Sequence, residues 1–441
     1  MLVRPPISRW KLYKWYAPLG SHEPALGLLY IASYIRSSGY NVQIVDGEIL
    51  GSKDMLEQIY RLRPDIIGIS STTFSFAAAA RLSGGLRLTF PDTLLLMGGP
   101  HPSALPIKTL EMVPSLDGVV VGEGEQTTLE IIQKRPTEEI RGLVCKTDAG
   151  FISSGPRAVS GTLDKYDLDW KLLEGFPVKY SPPFQSKKSR SASLIISRGC
   201  FYTCSFCSSA ALNGSKIQVH SPVFVIKLMN KLWMQYGISD FYFHDDYFPM
   251  STKWIREFCT GLIRLDKKYS WSCASRVEAL SDEILSLMKK SGCRQIGIGV
   301  ESGSQKVLDR IGKRISVTEL ATGLKKITQS GISIKGYFIL DAPGETFIDQ
   351  FKTLNFILAN NFSHIQFNYY APLPGSPDYN LMGAPESSWS RMSLQHCLGY
   401  SKIPSKLYWL IEISLYAAGY TKIIVKYITD ELFNIRSKLS A

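Results

Sequence analysis

A chain of 441 residues has room for two or three separate cores, and 45% hydrophobic against 20% charged content excludes a disordered polymer. The formal charge is +12, from 50 Lys and Arg against 38 Asp and Glu. The excess is local. Arg4, Arg9, Lys11 and Lys14 fall in residues 1–20, and Lys179, Lys187, Lys188, Arg190 and Arg198 in residues 179–198, and neither window holds an acid.

No nucleic-acid-binding motif surrounds either window, which leaves solvated loops or an anionic substrate or partner as readings of the charge. The most apolar stretch, residues 407–428, carries Glu412, Lys422 and Lys426 and falls short of the roughly 20 apolar residues of a membrane span. Residues 1–6 hold no apolar signal core. The expectation is a cytoplasmic protein without a membrane span and without a nucleic-acid partner.

Along the chain, Leu2-Val3, residues 42–45, 66–70, 94–97 and 119–121 read as short buried strands. Residues 26–37, 53–62, 76–88 and 127–133 read as helices between them. This alternation predicts a five-stranded parallel sheet of the doubly wound class over residues 1–135. Ligands of such sheets bind at the carboxyl ends of the strands. Those ends here carry Ser70, Ser71 and Thr72, then Gly98 and Gly99 ahead of His101, then Gly122 and Glu123. Small residues and hydroxyls let a backbone approach a ligand closely. His101 reads as a loop histidine hydrogen-bonded to backbone.

Residues 136–190 loosen into Gly, Ser, Pro and charge and read as a connection. A second series follows over residues 191–385, with strands expected at 194–197, 240–244, 271–274, 295–300, 333–340 and 364–370. Six β–α units make a partial (β/α)6 barrel, too few for a closed eightfold one. Residues 386–441 read as a small helical C-terminal region.

Eight cysteines in a long chain without a signal peptide do not make a disulfide scaffold, and three of them, Cys200, Cys204 and Cys207, lie within eight residues directly after the first strand of the second series. Structural zinc wants a fourth Cys or His at a suitable spacing, and the next histidines, His220 and His244, belong to other segments. Three thiolates on one loop suit three corners of a [4Fe–4S] cluster, leaving one iron open for chemistry. Arg198, two residues ahead of Cys200, is expected to balance the anionic thiolates.

Cys-x3-Cys-x-aromatic-Cys in this position resembles the radical S-adenosylmethionine (radical SAM) superfamily, over about residues 190–380. In that superfamily the open iron binds the amino and carboxylate groups of SAM, whose cleavage yields a 5′-deoxyadenosyl radical. The resemblance implies Cys200, Cys204 and Cys207 as cluster ligands and Phe206 as packing near the adenine. Phe243-His-Asp245-Asp246-Tyr-Phe248 is similar to the segment that contacts the methionyl amino group. Adjacent carboxylates on an extended strand point to opposite faces, so one of the two is expected to face the site. Arg276, Glu301 and Ser302 are implied as carboxylate and ribose contacts, and Gly336 as the adenine contact. The loop after Asn368 is expected near the substrate mouth.

A doubly wound domain ahead of such a barrel resembles the cobalamin-binding subfamily, most closely over Pro24–Asp46. It implies Ser70, Ser71, Thr72, Gly98, Gly99, Gly122 and Glu123 as cobalamin contacts. Because Ser21-His22-Glu-Pro-Ala stands where other cobalamin enzymes carry Asp-x-His-x-x-Gly, no protein histidine ligand to cobalt is implied. The implied activity is a methyltransferase acting on an unactivated carbon of a small molecule, with a flavodoxin or ferredoxin as electron donor. Two alternatives stand beside it, a cobalamin-dependent oxidative cyclase or rearrangement enzyme and a non-catalytic iron–sulfur or cobalamin regulatory protein. A tRNA methylthiotransferase is disfavoured, because the N-terminal domain lacks extra cluster cysteines.

Overall fold

The computed structural model describes residues 1–8, 22–158, 161–180, 190–248, 251–265 and 267–382. The expected helical region 386–441, and the basic residues Arg9, Lys11, Lys14, Lys187 and Lys188, lie outside them. Two compact units divide the chain. The first holds residues 1–246 with 372–382, and the second holds residues 247–371. Among the described residues no helix is long and apolar enough to cross a membrane.

The first unit carries β1 (Leu2–Arg4), β2 (Ile44–Asp46), β3 (Ile66–Ser70), β4 (Leu94–Gly98), β5 (Gly118–Val120), β6 (Leu143–Thr147) and β7 (Gly150–Ser153), in the order β2-β1-β3-β4-β5-β6-β7. The first five are parallel, and the short β1 lies between β2 and β3, which puts a topological switch point beside it. Helices span Leu26–Ser37, Gly47–Leu62, Phe76–Thr89 and Gly124–Ile132, close to expectation. The second starts six residues earlier than expected, because Asp46 caps it by accepting from the Glu48 amide, and Gly51 at φ +78° kinks it.

The sheet has seven strands rather than five. β6 and β7 form an antiparallel hairpin on its edge, from residues that read as connection. Leu143 and Ile140 join Leu96, Val120 and Ile131 in one buried cluster, so this hairpin completes a core rather than linking two.

Later in the same unit come β8 (Arg190–Leu194), β9 (Ser197–Arg198), β10 (Gln218–Val219) and β11 (Ile238–Phe243). β8 pairs parallel with β11, while β9 pairs antiparallel with β10. The strand expected over 194–197 is therefore broken. The amides of Ile196 and Ser197 leave the ladder to donate to the Asp245 carboxylate at 2.8 and 2.7 Å.

The second unit carries β12 (Ser270–Ser275), β13 (Cys293–Glu301), β14 (Ser333–Leu340) and β15 (His364–Tyr369), all parallel. With β8 and β11 they complete the six strands expected of the second series. Its helices Thr252–Arg264, Asp282–Lys290 and Val317–Gln329 are strongly amphipathic, and Ser251, Ser281, Ser316 and Thr346 each accept a first-turn amide. Phe248, Trp254 and Phe258 cluster with Trp271 of β12 at ring separations of 5.1–6.0 Å, mostly edge to face, with Trp254 and Phe258 stacked. Each such fully buried aromatic contributes on the order of 2–3 kcal/mol of transfer free energy.

Candidate cofactor and active site

A cavity of about 420 Å³ opens in the first unit at the carboxyl ends of β3, β4 and β5. Of the expected cobalamin contacts, Ser70, Gly98, Gly99, Gly122 and Glu123 line it. Gly99 adopts φ +101°, where a Cβ would stand 2.7 Å from the Ser71 carbonyl oxygen, and Gly122 adopts φ +75°. The close Ser71 carbonyl and the positive φ require glycine at 99, while at 122 the positive φ alone favours it.

Ser71 and Thr72 do not line it. Ser71 is fully buried and donates its amide to the Gly98 carbonyl, forming the floor of the Gly99 turn. Thr72 shares reciprocal hydrogen bonds with Ser75 at the entry to the helix Phe76–Thr89. The sequence places these hydroxyls at the strand end, but the turn consumes them. His101 is buried, as expected of a structural histidine, though its Nδ1 meets the Thr73 hydroxyl at 3.2 Å rather than backbone, and its ring packs on Phe76.

The cysteine loop leaves β9 through Gly199, whose φ is +95° and whose Cβ would lie 2.6 Å from the Lys216 carbonyl oxygen. Cys204 is buried, while Cys200, Cys207 and Phe206 are half-buried. Burial pushes the Cys200 thiol up, and the neighbouring Cys207, Asp246 and Cys204 push the same way. Among the described residues no three His, Cys, Asp or Glu side chains are already closed around a metal position. The donor set fits the expected cluster nonetheless: three thiols on one loop, with no fourth protein ligand closing it. Iron would take these cysteines as thiolates and so offset the burial and the neighbouring groups that raise Cys200.

Asp246 ties this loop down, accepting from the Gly199 amide at 2.9 Å, Asn213 Nδ2 at 2.7 Å and Ser209 Oγ at 2.8 Å. It also lines the cavity. Asp245 spends Oδ1 on the Ile196 and Ser197 amides, while its buried Oδ2 has no partner, and burial pushes its pKa up to about 7 against those two amides. Both expected SAM contacts thus support the loop that carries the thiols. Further along, the Asp378 amide donates to the Ser205 carbonyl at 3.0 Å, so the segment after residue 371 reaches this loop.

Arg198 is not the thiolates' counter-charge. It bonds Glu125 at 2.7 Å and Glu123 at 3.3 Å and lies 4.4 Å above the Tyr30 ring. Burial alone would lower its pKa; the two glutamates outweigh burial and raise it. Behind it, Tyr30 Oη lies 2.8 Å from His220 Nε2, and His220 Nδ1 lies 3.1 Å from Asp164. His244, another wall residue of the cavity, pairs through Nε2 with Glu23 at 3.1 Å.

In the second unit Arg276 and Glu301 stand at strand ends, as expected. Arg276 is buried, donating to Glu278 at 2.7 Å and to the Lys313 carbonyl at 2.6 Å. Glu301 holds φ +66° and accepts from Lys313 Nζ at 2.8 Å, in space that a Cβ on Gly299 would fill. Ser302 is fully buried and bonded to Thr353, so it anchors the helix Phe347–Ala359. Gly336 has its side-chain space filled by Phe338 and Phe362. Both positions are packed within the chain. Lys313, which sequence reasoning missed, lies one helix beyond Glu301, and no local motif marks it.

Three thiols on one loop, and in the same unit a glycine-edged crevice, define a protein that holds a metal cluster and a large organic cofactor. The B12 binding domain model matches residues 16–132 and the Radical SAM superfamily model residues 194–357. An uncharacterized methyltransferase of Pyrococcus horikoshii is 30% identical over 372 residues, covering 81% of this chain and 78% of that protein. The anaerobic magnesium-protoporphyrin IX monomethyl ester cyclase of Rubrivivax gelatinosus is 27% identical, covering 83% of this chain and 68% of its own. Among solved structures, the radical SAM methyltransferase TsrM of Kitasatospora setae, with cobalamin and a [4Fe–4S] cluster bound, shares the fold at TM-score 0.69 and 18% identity, over 85% of this chain and 73% of TsrM. The chain belongs to the cobalamin-binding radical SAM enzymes.

Proposed function

We propose that this chain is a methyltransferase that places a methyl group on an unactivated carbon of a small molecule. The observation that carries the reading is the single cavity whose wall includes both the glycine turns of β4 and β5 and Asp246, the carboxylate that holds the cysteine loop. In this reading Cys200, Cys204 and Cys207 hold the cluster. Ser70, Gly98, Gly99, Gly122 and Glu123 border the cobalamin. Arg276 and Glu301 take the carboxylate and hydroxyls of SAM, with Lys313 holding the Glu301 carboxylate in place. Together the three bound groups supply a hydrogen-abstracting adenosyl radical and a transferable methyl group. The chain's own task is to hold donors in place and keep water away from the radical.

A small one-electron carrier such as flavodoxin or ferredoxin supplies the electron, and reduced thiols at all the described cysteines fit a cytoplasmic setting. The likeness to an anaerobic cyclase over most of the chain supports a second reading, oxidative ring closure without methyl transfer. One experiment separates the two. The anaerobically reconstituted protein is incubated with SAM, cobalamin, a reductant and a small-molecule extract of its host, and the products are weighed by mass spectrometry. Methyl transfer adds about 14 daltons, the mass of CH2, to one metabolite. A product lighter by two hydrogens, with none gaining a methyl group, would establish the cyclase reading instead.

A further inference from the structure

Arg198 sits two residues ahead of the first cluster cysteine, yet its guanidinium faces the cavity wall. Nη1 reaches Glu123 at 3.3 Å and Nη2 reaches Glu125 at 2.7 Å, so one fork spans the two acids of the loop after β5. All three residues line the cavity. β9, which carries Arg198, pairs with Gln218, whose amide donates to Glu123 as well. Tyr30 packs against the guanidinium at 4.4 Å and donates to the Ile195 carbonyl just before β9, while Tyr166, in edge contact with Tyr30, lies 5.7 Å from the same guanidinium. One cation facing two carboxylates leaves a net negative charge at the wall. Amide N–H donors such as those around a corrinoid ring would compete with Arg198 for Glu123.

We propose that Arg198 is a positioning residue that couples the cavity to the cysteine loop: occupancy of the one changes the affinity of the other. The coupling rests on the cofactor assignment made above. A ligand that draws Glu123 shifts the guanidinium toward Glu125, and Arg198 transmits that shift through Gly199 to Cys200. Lysine cannot replace it, because a point charge does not bridge two carboxylates. Coupling of this kind is reciprocal and commonly amounts to about 5- to 150-fold in affinity.

The test titrates hydroxocobalamin into the full chain, followed by visible absorbance, with the cluster reconstituted anaerobically and again after its removal by chelation. The wild type is expected to bind about tenfold more tightly in one state than in the other. Arg198→Lys should bring the two affinities within about twofold while both cofactors still bind. Arg198→Gln combined with Glu125→Gln, which leaves no buried unpaired carboxylate, should do the same if the lysine variant folds poorly. Equal affinities in the wild type, or a ratio unchanged in either variant, overturns the coupling and leaves the cofactor assignment standing. Absence of cobalamin binding in every form overturns the assignment itself, and the coupling with it.

Discussion

Asp46 takes both nitrogens of the Arg4 fork at 2.7 and 2.6 Å, the Tyr180 hydroxyl at 3.2 Å and the Glu48 amide at 3.1 Å. Removing it would take the bidentate partner from a largely buried guanidinium and leave Glu48 at 3.6 Å and the Glu23 carbonyl, so the loss is up to about 3 kcal/mol. Asp46→Ala should lower the free energy of unfolding in urea by that amount. His220 makes a separate prediction. Burial lowers its pKa from 6.5 to about 4, against the pull of Asp164 the other way. The unfolded chain therefore binds a proton that the folded chain refuses between those values. Stability from this group is complete above pH 6.5 and is lost as pH falls toward 4, by up to about 3 kcal/mol. The stability difference between wild type and His220→Gln, from urea titrations at pH 4.5, 5.5 and 7, should grow with pH and level off above 6.5. At this scale the cysteine triplet was legible because its spacing is local. Arg198 was misread because its partners, Glu123 and Glu125, stand more than seventy residues earlier, and pairing across a fold leaves no periodic trace.

Elements were legible where hydrophobic periodicity is strong, as in the helix at residues 26–37, found where expected. The hairpin β6–β7 was hidden because its strands are short and set among Gly, Ser and charge, and pairing with β5 and burial of Leu143 against Val120 fix it, both across the fold. The strand expected over 194–197 failed for a different reason: Asp245 takes its amides, which apolar patterning does not register. Turn chemistry was more readable than side-chain roles. Gly98 and Gly99 were named together for close approach to a ligand, and Gly99 forms a tight turn at φ +101° against the Ser71 carbonyl. Gly99→Ala forces backbone rearrangement, costing about 1–3 kcal/mol in strain. It should weaken hydroxocobalamin binding at least about tenfold while iron content per chain stays at the wild-type level. An unchanged affinity would mean that the β4 turn does not border the cobalamin.

For the whole molecule, the described basic residues of the two acid-free windows have particular partners: Arg4 pairs with Asp46, Lys179 with Glu174 and Arg198 with Glu123 and Glu125, while Arg190 donates to the Tyr236 carbonyl. Arg4 and Arg198 are both buried in ion pairs, so they contribute to packing rather than to a surface field. The cluster was legible because its chemistry demands adjacent thiols, whereas SAM and cobalamin were read from the family resemblance. Individual SAM contacts were less so, because Ser302 and Gly336 satisfy packing needs that sequence similarity does not distinguish from binding. The claim on which everything else depends is that Cys200, Cys204 and Cys207 hold a cluster that cleaves SAM. Its most direct measurement is 5′-deoxyadenosine released from SAM by the anaerobically reconstituted, reduced protein, compared with Cys204→Ala treated identically. The wild type should release it and the variant should fall to the level of a protein-free control; cleavage persisting at the wild-type rate in Cys204→Ala would contradict the account.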